Sequence, residues 1–283
     1  MKRCHSAVSH KRAVRILKNV IKAAPEIIIE RDRKVVFFSD LHRSDGSKAD
    51  DSLTCSIPLN HALKHYCNED YLGVFVGDIL ELLETKWKRI LKFARKNPFI
   101  EKILWRINIL CRFWILGNHD RKANRIRHAL FSDIKFAQVL KIVDENGKLL
   151  FLCMHGHQFD IWNKGGFITQ IVNLIVRYIW TPIQKRFKLS SEPETSPAKN
   201  PSKATDLEVV IIEALVELGV SAIYGHTHRE KILRIDKGIY YINCGSGTKD
   251  GEVTCIEYSD GVISLKRWTQ DGCRKIKSHT IAL

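Results

Sequence analysis

Hydrophobic and polar positions change period several times along the chain, and each change marks an element. Over residues 9 to 23, Lys and Arg interleave with Val, Ile and Leu at helical spacing, and Pro25 ends the segment. The apolar runs EIII and VVFF, with RDRK between them, predict a hairpin. HALKHYCNEDY (61 to 71) reads as a helix and LGVFVGD (72 to 78) as a strand. Residues 79 to 96 read as a basic helix that Pro98 breaks, and a shorter helix leads into the strand of RFWILGNHD (112 to 120). VLKIVDENGKLLFLCMHGH (139 to 157) fits a hairpin with Asn146 and Gly147 in its turn. A mostly apolar segment follows, then SSEPETSPAKNPSKATD, whose Pro, Ser and Lys content reads as a mobile loop. A helix over 206 to 218, the strand of VSAIYGHTHR, and strands at GIYYINCGS, EVTCIEY and VISLKRW complete an α/β chain without internal repeats.

Five of the strands end in residues able to bind a metal: DLH at 40 to 42, GD at 77 and 78, GNHD at 117 to 120, HGH at 155 to 157 and GHTH at 225 to 228. In open α/β sheets ligands bind at strand carboxyl ends, where loops can carry polar groups while the strands stay dry. Asp40 and His42, spaced i and i+2, would emerge on one side of an extended chain, as would His226 and His228. Imidazoles, carboxylates and one amide oxygen suit Mn, Fe or Zn rather than Ca or Mg. Seven ligands exceed one tetrahedral ion and fit two ions about 3.5 to 4 Å apart. Gly77, Gly117 and Gly225 would let the backbone turn sharply beside them.

Composition narrows the partners. With 46 Lys and Arg against 31 Asp and Glu, the 283-residue chain carries a formal charge of +15 and favours anionic partners. The eight cysteines form no CxxC pair, and several sit in apolar runs, which suits buried thiols in a reducing cytoplasm. The basic N-terminus lacks a secretory h-region, and arginines interrupt every long apolar run, so neither a leader nor a spanning helix is expected.

The ordered blocks D-x-H, GD, GNH(D/E), H and GHxH resemble the signature of the calcineurin-like metallophosphoesterases, over about residues 34 to 250. The resemblance implies a two-sheet sandwich flanked by helices (αββα), here with a helical insertion. It implies that Asp40, His42 and His228 bind one ion, that Asn118, His155 and His226 bind the other, and that Asp78 bridges them. The cofactors would be two divalent transition metal ions, Mn favoured over Fe or Zn. A metal-bridging hydroxide would attack a phosphomonoester, phosphodiester or pyrophosphate, and His119 would protonate the leaving oxygen.

Other residues admit more than one role. Arg43 fits a substrate phosphate contact or a plain ion pair with an acid such as Asp45. Asp120 could orient His119 or cap a following helix. His157 could be a partner of a ligand, a substrate contact or a loop residue. NCGS at 243 to 246 reads as a turn packed beside the site.

The expected organisation is a basic helical segment over 1 to 25 and a phosphoesterase domain over 26 to 283, interrupted at about 161 to 204. Within that insertion, residues 165 to 188 are apolar around much of a helix and basic towards one end. They suit a cover for a sheet edge, a dimer contact, or a lid that meets anionic lipid peripherally. That layout is similar to the UDP-2,3-diacylglucosamine pyrophosphatase branch, although His119 and HGHQFD depart from its pattern. The alternatives are a nuclease or protein phosphatase on the same scaffold, or a metal-bound scaffold without turnover. Nucleic acid is the less favoured partner, because aromatics do not interleave with the N-terminal cations.

Overall fold

The computed structural model describes residues 7–126, 131, 133–161 and 197–280. Strand β1 (Glu26–Ile28) precedes β2 (Val35–Phe38), whose four residues are all buried because they serve two cores. Val35 and Phe37 enter one apolar cluster and Val36 and Phe38 another, as the two-residue period of a strand requires. The division repeats in β3 (Leu72–Val76), where Val74 and Val76 oppose Phe75, and in β4 (Cys111–Ile115), where Ile115 opposes Trp114.

Short β5 (Lys135–Ala137) extends this parallel run, and β11 (Val253–Ser259), β12 (Val262–Thr269) and β13 (Gly272–Thr280) add antiparallel strands on the other side of β2. The seven-stranded order is β13-β12-β11-β2-β3-β4-β5. The second sheet uses β6 (Val139–Val143), β7 (Leu149–Met154), β8 (Ala222–Tyr224), β9 (Lys231–Asp236) and β10 (Ile239–Asn243), in the order β1-β6-β7-β8-β10-β9. Val35, Phe37, Val74 and Ile115 from the first sheet meet Ile142, Phe151, Ile223 and Ile242 from the second, forming the core of a sandwich.

Helices close both outer faces. Residues from α2 (Ser56–Asn68), α3 (Trp87–Lys96) and α4 (Pro98–Leu110) pack with Val36, Phe38, Phe75 and Trp114. Asn97 caps α4 by accepting from the Ile100 N–H, and Pro98 takes the first turn, where its missing N–H costs nothing. Across the molecule, α1 (His10–Ala23) and α5 (Pro201–Leu218) pack Leu17, Leu207 and Ile211 with Leu152, Met154 and Tyr241. The basic N-terminal helix thus buries one face and turns its cations outward. The result is the expected α/β sandwich of two sheets flanked by helices.

Several elements differ from the sequence reading. β1 and β2 do not form a hairpin: β1 pairs in parallel with β6 in one sheet, and β2 lies between β3 and β11 in the other. Residues 79 to 86 are loop rather than helix, and α3 begins only at Trp87. Residues 201–204 belong to α5, not to a loop. The expected insertion helix and lid at 165 to 188, the feature behind the branch resemblance, lies outside the described residues. Among the described residues, no helix is long and apolar enough to cross a membrane.

Candidate metal centre

The carboxyl ends of β2, β3, β4, β7 and β8 converge, bringing together Asp40, His42, Asp78, His119, His155, His226 and His228. Main-chain bonds continue the sheet beyond its strands: Asp40 N–H donates to Gly77 O at 3.0 Å, and His42 N–H to Asp78 O at 2.9 Å. Gly225 N–H donates to His155 O at 3.2 Å, which ties the GHTH loop to the end of β7. The residues there are not extended. Asp40, His42, Asp78, His226 and His228 all have positive φ, between 43° and 67°. Non-glycine residues adopt this left-handed region rarely and at a cost, and such strain concentrates at functional sites. Side-chain convergence therefore comes from backbone curl, not from the i, i+2 alternation of a strand.

Two groups of ligand atoms result. Asp40, His42 and His228 form one, with His228 Nε2 3.0 Å and His42 Nε2 3.8 Å from Asp40 Oδ1. Asp78, His155 and His226 form the other. His155 Nε2 joins them, lying 3.2 Å from both Asp40 Oδ1 and Asp78 Oδ2. The remaining carboxylate oxygens are fixed: Asp40 Oδ2 accepts from Ser39 Oγ at 2.5 Å and from the His226 N–H at 2.9 Å, and Asp78 Oδ1 accepts from the His119 N–H at 2.8 Å.

Burial would raise the Asp40 carboxyl, but His228 and His155 outweigh it and hold the group well below its ordinary range. Asp78 is also lowered, because His155, His119 and His42 overcome its burial.

Glycine makes room for these groups. A Cβ on Gly117 would fall on Asp78 Oδ1, one on Gly225 on Ser39 Oγ and Asp40 Oδ2, and one on Gly77 within 2.5 Å of the His155 ring. Only Gly77 also has a left-handed φ, 88°. Gly117 and Gly225 are thus required for space rather than for a turn.

Glu81, absent from the sequence-based site, anchors two imidazoles. His42 Nδ1 and His119 Nδ1 both donate to its Oε2, at 3.0 and 2.6 Å, while its Oε1 accepts from the Glu84 N–H. Burial opposes its ionisation, but His119 and His42 hold it below the usual carboxylate range. Burial likewise lowers His119, yet Glu81 and Asp78 outweigh it and raise this imidazole to about 10. The available signal was a second acid three residues after Asp78, hidden in ELLET, which reads equally well as a helix surface.

The three ambiguous residues find definite partners. Arg43 is buried and donates to Ser52 O at 2.6 Å and Ser56 Oγ at 3.1 Å, so its guanidinium holds the 52–56 segment. Asp120 contacts neither His119 nor a helix cap through its side chain. It accepts from the Gly117 N–H at 2.7 Å, the Trp114 indole at 2.8 Å and the Ile79 N–H at 2.9 Å, which fastens the loop after β4 to the loop after β3. Burial and nearby Asp78 push its carboxyl up to about 6. His157 is buried with Nδ1 3.2 Å from His155 Nδ1, and burial together with cationic neighbours keeps it neutral, able to accept from a His155 N–H.

Two further acids were missed: Asp160, 3.4 Å from His226 Nε2, and Glu208 on α5, which accepts from Thr227 Oγ1 at 3.2 Å. In the 243–246 turn, Asn243 Nδ2 donates to Gly225 O at 2.8 Å and to Thr227 Oγ1 at 3.1 Å.

A strained, buried cluster of imidazoles and carboxylates at converging strand ends, on a two-sheet sandwich, defines a site that could hold metal ions. The calcineurin-like phosphoesterase family model matches residues 33–230, and the chain belongs to that family. A metal-dependent phosphoesterase is the activity this family membership supports. Among solved structures the chain is similar to a dimetal phosphatase from Danio rerio, at 10% identity over 88% of this chain and 99% of that one, TM-score 0.44. It is also similar to a predicted phosphoesterase from Streptococcus pneumoniae TIGR4, at 15% identity over 87% and 97% of the two chains, TM-score 0.37. A third likeness is to a cold-active protein-tyrosine phosphatase of Shewanella sp., at 14% identity over 90% and 82%, TM-score 0.38. Likeness at these scores carries no argument of its own. No curated protein matches the chain.

Proposed function

We propose that the chain is a dinuclear metallophosphoesterase that hydrolyses a phosphomonoester, phosphodiester or pyrophosphate. The observation that carries this reading is the pair of ligand groups joined through His155, with Asp40 and Asp78 on either side of one imidazole. Asp40, His42 and His228 would hold one divalent cation, Asn118, His155 and His226 the other, and Asp78 both. The Asn118 side-chain oxygen fits this role: it is shielded from solvent and accepts no hydrogen bond, a costly state that a cation would relieve. Mixed N and O donors favour Mn, Fe or Zn. When bound, such ions supply Lewis-acid polarisation of phosphoryl oxygens and a water acidified towards neutrality.

The surrounding residues orient and move protons. Because Glu81 occupies His119 Nδ1, the proton available for catalysis sits on Nε2. His119 Nε2–H then donates to the leaving oxygen. Neutral His157 fixes the ring of His155, as groups behind metal-binding histidines do, and Asp160 lies 3.4 Å from His226 Nε2. A retained His119, fixed beside the ligand set by Glu81 and Asp78, favours turnover over a silent metal-bound scaffold.

A substrate panel tests this reading. Metal-loaded protein should cleave at least one of p-nitrophenyl phosphate, bis-p-nitrophenyl phosphate, a UDP-sugar, DNA or a phosphopeptide, and the pattern across the panel identifies the bond. No turnover on any of them with Mn, Fe or Zn would favour the scaffold.

A further inference from the structure

We infer that the surface formed by α3 and α4 docks on an anionic lipid bilayer. Each exposed residue of α3 is a cation: Lys88, Arg89, Lys92, Arg95 and Lys96. None meets an acid at ion-pair distance among the described residues. The adjoining helix adds an apolar stripe, with Trp105 at 57% and Ile109 at 38% exposure on one side of α4 and Phe99 at 39% in its first turn. Lys102 shares the stripe with Trp105 and Ile109 at i, i+3 and i+7.

Charge complementarity selects an anionic partner. The apolar residues select a bilayer over nucleic acid, because indole and phenyl rings could stack on bases but an exposed Ile has nothing to do there. Amphipathic basic helices with Trp and Phe bind at the headgroup boundary, held by both apolar insertion and attraction to anionic lipid. The outward cations of α1 lack such company, since its exposed positions carry no aromatic.

Helix α3 also touches a loop that leaves the candidate site. Phe93, on the inner side of α3, fills the space beside Gly46, in the loop that follows Asp40 and His42. Docking through α3 and α4 would therefore bring the lipid surface to an element backing the site.

Vesicle cosedimentation of the full chain tests the inference. The chain should partition onto vesicles of equimolar phosphatidylglycerol and phosphatidylcholine at least about tenfold more strongly than onto phosphatidylcholine alone, and the difference should shrink at high salt. Lys88→Gln with Lys92→Gln should weaken that partition about tenfold or more. Trp105→Ser should weaken it several-fold at unchanged charge. Both variants should keep the parent circular dichroism spectrum and its hydrolysis of a soluble phosphoester. Equal partition onto the two vesicle types, absence of partition, or unchanged partition in both variants would overturn the inference, as would tight duplex DNA binding without vesicle binding.

Discussion

Glu81 Oε2 lies 3.0 Å from His42 Nδ1 and 2.6 Å from His119 Nδ1, so one carboxylate sets the orientation of a proposed ligand and of the proposed acid. The consequence for the metal-free protein can be read from the two pKa directions. His119 is raised to about 10, so its stabilising contribution is full below the unfolded value of about 6.5 and is lost as pH rises through about 10. Glu81 is lowered, so its contribution is present above about 4.3 and lost as pH falls.

Glu81→Gln should therefore cost on the order of 3 kcal/mol between about pH 4.3 and 6.5, and progressively less as pH rises towards about 10 or falls into the acid range. Thermal melting against pH in chelator checks this, and parallel curves for parent and variant would contradict it. His119→Ala should lose about 10²- to 10⁴-fold in turnover while keeping its metal, measured by steady-state rates beside elemental analysis. Gly117→Ala should lower metal affinity by about 10- to 100-fold and also lower the melting temperature, because the new methyl meets both Asp78 Oδ1 and the Asp78 main-chain nitrogen. Isothermal titration with Mn reads that change. That Asp40, His42, Asp78, His155, His226 and His228 gather was legible because each follows an apolar run, whereas Glu81 was not, since nothing in ELLET distinguishes an inward acid from a solvated one.

At the scale of elements, the parallel strands were legible from their apolar runs and abrupt polar ends, but the pairing of β1 was not. With only three residues and two of them exposed, β1 carries too little pattern to choose a partner, and the apparent turn RDRK instead carries the chain from one sheet to the other. The curl at Asp40 and His42 was equally hidden, because a left-handed Asp or His has no distinct sequence mark.

Helix α5 shows why an element far from the motifs matters. Its Glu208 is buried, accepts from Thr227 Oγ1 and pairs with Lys231 at 2.8 Å, which steadies the loop between His226 and His228. Glu208→Ala should loosen that loop and weaken metal binding several-fold while leaving Glu81 and His119 in place, so turnover at saturating metal should recover towards the parent rate. A turnover deficit that saturating metal does not relieve would contradict this positioning role.

Over the whole molecule, two sheets share one core between two helical layers, and the loops that carry the candidate metal ligands gather where five strands end. Family membership and the site agree on a phosphoesterase scaffold. The strained backbone at Asp40, His42, Asp78, His226 and His228 packs against Gly77, Gly117 and Gly225, where a Cβ would clash with the site's own side chains. The central claim is that this arrangement holds two cations and works only when both are present. Titrating Mn into metal-stripped protein while following hydrolysis across the p-nitrophenyl phosphate, bis-p-nitrophenyl phosphate and UDP-sugar substrates tests it most directly. Activity should rise to a break at two equivalents per chain; a break at one equivalent, or no hydrolysis at any ratio, would contradict the account.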